Sequence, residues 1–186
     1  MPIEPDTKDW TWVLESRCEE CGFDASTLPA AAVAQVLRGN VMAWRPLLLA
    51  DDGTPRAGVA ERPSDDRWSA LEYACHVRDV YRLYGERLSL MLELENPTFP
   101  NWDQDVSAVD DAYNSQDPTV VAGEVEESGR ALARSFDAVD GDQWRRTGLR
   151  SDGAHFTVDT FARYFMHDPV HHVADVEENY RRLSTG

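Results

Sequence analysis

The histidines of this 186-residue chain are unevenly placed: His76 and His155 stand alone, while His167, His171 and His172 fall within six residues. Side chains four apart on a helix project side by side. The last segment therefore offers two ligand pairs, His167 with His171 and Asp168 with His172. Added to His76 from a facing helix, either pair gives a divalent ion three protein ligands and an open position for water, as expected of a catalytic metal. An ion held in this way lowers the pKa of a bound water or small thiol and makes a nucleophile at neutral pH. Asp175, one turn from His172, and Asp79, beside His76, are candidates to orient an imidazole through its second nitrogen. The plainer reading pairs His76 and His172 with these same carboxylates as ordinary partly buried histidines and leaves His167 and His171 in solvent. Cys18-Glu-Glu-Cys21 has the spacing of a zinc or redox pair, but it is half of a structural zinc site and no second such pair follows. Cys75, the remaining thiol, falls opposite the apolar stripe of its helix, where an N-terminal arm would complete a mixed site. Against that stands a simple reduced pair.

Four amphipathic segments have to position these groups. Residues 1–27 show no sustained period and form an ordered arm. A first helix is expected from Leu28, behind Ser26 and Thr27 as caps, to Leu49. A second starts at the capping box Ser69-Ala-Leu-Glu72 and runs to Glu95, its apolar stripe set by Tyr73, Val77, Val80, Tyr81, Tyr84, Leu88 and Met91. A long connection, Asn96 to Asp117, holds one short helix near Val106–Tyr113. Asp117-Pro118 opens a third helix to Ala138, with Glu124, Glu126 and Glu127 on its solvated face. The stretch Gln143–His155 is polar and turn-rich, and Thr157 caps a fourth helix to Leu183. Trp10, Trp12, Trp102 and Trp144 lie outside these helices, as loop anchors or at a pocket mouth.

Periodicity ranks the two pairs on the fourth helix. Relative to its apolar stripe, centred on Val158 and Val176, His172 lies at about 40° and Asp168 at about 80°, with His171 at about 140° and His167 at about 180°. His76 flanks its own stripe at about 80°. Asp168 and His172 are favoured as long as the helix continues through Pro169; a break there revives His167 and His171.

The bulk numbers limit the partners. A net charge of -16 disfavours nucleic acid and anionic membranes. The lack of any apolar run near 18 residues or of a leader pattern, together with three cysteines, an odd number, fits a reducing cytoplasm. At 42% hydrophobic content, residues 28–183 suffice for one bundle core within a single domain spanning 1–186.

The stretch Trp68-Ser-Ala-Leu-Glu-Tyr-Ala-Cys-His76-Val-Arg-Asp79 resembles the second-helix motif of the DinB-like superfamily, in which a Trp-Ser helix start precedes a metal-binding His. His171-His172-Val-Ala-Asp175-Val resembles its fourth-helix motif, in which the second His is a ligand and another lies four residues earlier. The resemblance implies an all-α, up-down-down-up four-helix bundle with a long crossover and with His76, Asp168 and His172 as metal ligands. The superfamily commonly has His at the place of Asp168, and the mycothiol-dependent maleylpyruvate isomerase branch has Glu; the Asp is a departure that shortens the ligand's reach. Zinc or nickel, a low-molecular-weight thiol and a small-molecule substrate are the implied partners, with transfer, isomerisation or hydrolysis as the chemistry. The rival expectation is a non-catalytic bundle, dimeric, acting in binding or stress response.

Overall fold

The computed structural model describes residues 10–185; the arm's first nine residues lie outside them. A short 3₁₀ segment, Trp10–Leu14, opens the arm, and a 3₁₀ turn, Ala30–Ala32, leads into helix α1, Val33–Leu48. The expected start at Leu28 is corrected because Ser26 and Thr27 bond to Asp24 instead of capping a helix. Helix α2, Ala70–Glu93, begins with the reciprocal box: Ser69 Oγ accepts from Glu72 N at 3.1 Å and Glu72 Oε2 from Ser69 N at 2.8 Å. After a two-residue strand β1, Thr98–Phe99, comes a short helix α3, Gln104–Asp110, capped by Asp103. Helix α4, Pro118–Asp137, starts at Asp117, whose carboxylate accepts from Thr119 N and Val120 N.

Between α4 and the last helix lies a β-hairpin, β2 (Thr147–Arg150) with β3 (His155–Thr157); β1 adds in parallel to β2. This small sheet is a minor addition to the helical bundle, and its hairpin begins within the stretch read as polar and turn-rich. Strands of two to four residues are too short to show alternation, and Gly148 is required because a Cβ there would collide with Phe99 and stand 3.0 Å from Met91. Thr157 then exchanges bonds with Thr160 to open helix α5, Val158–Thr185, which continues through Pro169.

Residue contacts fix the direction of each long helix. Asn40 meets Pro169 and Leu47 meets Tyr180, so α1 and α5 run together. His76 faces Asp168 and Tyr84 faces Phe161, which makes α2 antiparallel to α5. Arg78 contacts Glu124 and Gly85 lies against Leu132, which makes α4 parallel to α2. The order is up-down-down-up, made possible by the long link between α2 and α4. At its centre Asn40 donates to the Pro169 carbonyl (2.8 Å) and accepts from Trp44 (3.1 Å) and Tyr81 (2.5 Å), tying three helices together where α5 carries its proline. No helix among the described residues is long and apolar enough to cross a membrane.

Candidate metal centres

Because α5 is continuous, its i and i+4 pairs stay in register, and the two pairs, offset by one residue, face different neighbours. Asp168 and His172 face α2. His76 Nε2 lies 3.4 Å from Asp168 Oδ1, and His172 Nε2 lies 3.8 Å from Asp168 Oδ2; the ligand atoms of all three are within 4.8 Å of one another. His76 is 1% exposed. Its ring stacks on Trp102 at 5.4 Å and meets Trp68 at 5.4 Å, and Trp102 is itself pinned by donating to Ser107 Oγ at 2.8 Å.

The electrostatics keep the carboxylate of this cluster ionised. Burial alone would raise the Asp168 carboxyl, but the facing imidazoles of His76 and His172 outweigh it and hold it down at about 2. His172 Nδ1 is 3.0 Å from Asp175 Oδ2, and Arg67 fixes that carboxylate from 3.1 Å. Asp175 is also kept below the usual carboxylate range: burial opposes this, and the His172 bond, both neighbouring imidazoles and Arg67 prevail. With its Nδ1 proton engaged, His172 turns the Nε2 lone pair toward the cluster.

Asp79 does not perform the same service for His76. Its carboxylate is held by Arg78 Nε (2.8 Å) and Nη2 (2.9 Å) and accepts from Tyr113 OH (2.6 Å), and His76 Nδ1 is buried with no hydrogen-bond partner. The adjacent Arg78 therefore corrects the expected role of Asp79. Glu124, expected in solvent, shares this network through Arg78 Nη1 at 2.8 Å.

The other pair faces the arm. Sγ of Cys18 and Cys21 and one nitrogen each of His167 and His171 also lie within 4.8 Å of one another. His167 is only 5% exposed, which corrects the reading of His167 and His171 as solvated. Both point away from the bundle axis, as periodicity placed them, but Trp10 covers them at 5.3 and 5.6 Å, with Phe23 6.4 Å from His167. Cys75 takes no part. It is buried under the crossover, its thiol directed at the Tyr113 carbonyl and Gln116, and burial pushes it up to about 12. His155 is exposed in β3 and belongs to neither cluster.

A cavity of about 430 Å³ opens on the first cluster; Trp10, Trp102, Arg87, Arg150 and Tyr164 are among its walls. Trp10 and Trp102 thus line a pocket, one of the two roles their sequence positions allowed. Arg87 is buried, with its Nε unpartnered. The sequence drew no attention to it, because it reads as one more polar residue of α2.

An up-down-down-up bundle in which two imidazoles and a carboxylate from facing helices converge at a cavity defines a helical protein with a candidate metal centre. The chain belongs to the DinB superfamily, whose family model matches residues 40–176. Among solved structures it is similar to YfiT from Bacillus subtilis, described as "a probable metal-dependent hydrolase with an unusual four-helix bundle topology", with a TM-score of 0.71, 18% identity and coverage of 91% of each chain. At that identity the likeness speaks for the fold. No curated protein matches the chain significantly.

Proposed function

We propose that this protein is a divalent-metal-dependent enzyme in which His76, Asp168 and His172 hold the ion and the adjoining cavity takes a small molecule for hydrolysis or thiol-linked transfer or isomerisation. One observation carries this reading. At metal–ligand distances of about 2.1 Å, tetrahedral ligands lie about 3.4 Å apart, and Asp168 Oδ2 stands 3.5 Å from His76 Nε2 and 3.8 Å from His172 Nε2. At 3.5 Å the His76–Asp168 contact is a weak hydrogen bond, and the same spacing suits two ligands that share an ion. The carboxylate is anionic and both imidazoles present Nε2, so the donor set fits zinc or nickel. That YfiT is described as a probable metal-dependent hydrolase makes hydrolysis the first chemistry to test.

When bound, a divalent ion supplies a water or thiol ionised near neutral pH. The surrounding residues have separate tasks. Asp175 orients His172 through Nδ1. Trp102 and Trp68 wall His76 from water, which strengthens every charge interaction inside. The cavity wall carries charges of both signs: Arg87 stands there with its Nε unpartnered, Arg150 is paired with Asp152 at 2.6 Å, and Asp103 and Asp105 also line it, which fits a polar small molecule.

The test is elemental analysis and activity in a Cys18→Ser/Cys21→Ser background, so that only this centre is counted. After reconstitution with zinc or nickel under reducing conditions, one ion per chain is expected, falling to near zero in His76→Ala or His172→Ala. Hydrolysis of a panel of small polar esters and amides, and transfer with low-molecular-weight thiols, should follow metal content. No stoichiometric ion, or full retention of it by both variants, removes the reading.

A further inference from the structure

We propose that Cys18, Cys21, His167 and His171 form a second metal site, a closed structural zinc centre that staples the N-terminal arm to α5. The inference does not depend on the catalytic reading. Its ligand set is complete: two thiols at C-x-x-C spacing and two imidazoles at H-x-x-x-H spacing, the Cys₂His₂ composition of four-coordinate structural zinc. The distance fits too. Zinc–sulfur bonds of about 2.3 Å and zinc–nitrogen bonds of about 2.05 Å put tetrahedral S and N about 3.6 Å apart, and Cys18 Sγ is 3.7 Å from His171 Nδ1.

Three independent features prepare these atoms. The thiol loop is already folded into a knuckle: Gly22 N donates to the Cys18 carbonyl at 2.9 Å, and Cys18 N donates to the Phe23 carbonyl at 2.8 Å. Gly22 turns the chain at φ +75, a conformation costly for other residues. The imidazole of His171 is oriented from behind, its Nε2 lying 3.4 Å from Glu20 and 3.7 Å from Asp175, which leaves Nδ1 for the sulfur side. His167 is 95% buried with Nε2 unpartnered, a position that costs free energy unless something binds there.

The ligand count assigns the role. With two thiols and two imidazoles all four corners of the tetrahedron are protein atoms, so the ion has no open position for substrate even though His167 and His171 border the cavity beside Trp10. What the ion would join is the arm, including Trp10 on the cavity wall, and α5, whose next residues are Asp168 and His172. Asp175 reaches both clusters, 3.0 Å from His172 and 3.7 Å from His171.

Cobalt substitution of the reduced full-length chain tests this directly. Wild-type protein loaded with Co²⁺ should show a thiolate-to-cobalt charge-transfer band and the visible bands of tetrahedral cobalt. The charge-transfer band should persist in His76→Ala and disappear in Cys18→Ser/Cys21→Ser and in His167→Ala, while the visible bands that remain in these last variants belong to the cavity ion. In wild type, which needs no variant to fold, one equivalent of zinc per site should slow reaction of the Cys18 and Cys21 thiols with a disulfide reagent at least tenfold. A wild-type protein with no charge-transfer band and no thiol protection by zinc overturns the proposal. So does a band that survives in both His167→Ala and His171→Ala, because the imidazoles would then not be ligands.

Discussion

At the scale of single residues, Asp175 has the most distinctive position, since its carboxylate stands behind a ligand of each cluster. Removing such a supporting carboxylate typically weakens metal binding about 10–100-fold. Asp175→Asn is therefore expected to weaken zinc at both centres by about that factor, read by chelator competition, whereas Asp168→Asn should affect only the cavity ion. Equal wild-type affinities at both sites in Asp175→Asn would refute the shared role. Asp79 makes a contrasting case. Its carboxyl is depressed because, although burial opposes it, Arg78 and Tyr113 bond to the ionised form. A depressed carboxyl contributes stability above its unfolded pKa of about 3.9 and loses it as pH falls through the folded value. Asp79→Asn should thus cost about 1–3 kcal/mol at pH 7, with the difference from wild type shrinking below about pH 4 in thermal melts. Sequence reading could place Asp79 near His76 but could not see that Arg78, one residue earlier, captures it.

At the scale of elements, what was legible followed from local chemistry. Ser69 and Glu72 announced the start of α2, and Asp117-Pro118 that of α4, because caps act within a few residues. The spacing of Asp168 and His172 likewise showed a pair on one helix face, and the structure places that pair opposite His76. Illegible were features decided at a distance. The apolar stripe of α5 points at the bundle axis, so it correctly turned His167 outward and said nothing of an arm waiting there. The hairpin of β2 and β3 was hidden because its closeness to β1 depends on Gly148 meeting Phe99. Gly129 in α4 is another residue whose reason lies across the bundle. A Cβ there would collide with Val41 and stand 2.8 Å from Tyr81. Alanine is the better helix former by about 1 kcal/mol, but overpacking a close-packed core typically costs about 1–3 kcal/mol. Gly129→Ala is accordingly expected to lower the midpoint of thermal unfolding; a raised midpoint would mean that α1 and α2 part easily at this contact.

At the scale of the molecule, two metal centres on adjacent faces of α5 would make stability depend on zinc in two separable parts. A ligand that binds only the folded state stabilises it by about 2.7 kcal/mol at 100 times its dissociation constant, and in a chain of this size each kcal/mol moves the unfolding midpoint by about 2–4 °C. One site should therefore raise the midpoint by about 5–11 °C, and both together by about twice that. The Cys18→Ser/Cys21→Ser protein should keep only the share of the cavity ion, and His76→Ala only the share of the arm's ion. The unfolded chain will subtract a little, since Cys18 and Cys21 stay three positions apart in any conformation and retain some affinity. His76, by contrast, is separated from Asp168 by 92 residues, so the cavity site vanishes on unfolding and its increment should be the fuller of the two. Calorimetry at matched ratios of free zinc to dissociation constant would separate the increments, and an undiminished zinc response in both variants would place the ions elsewhere.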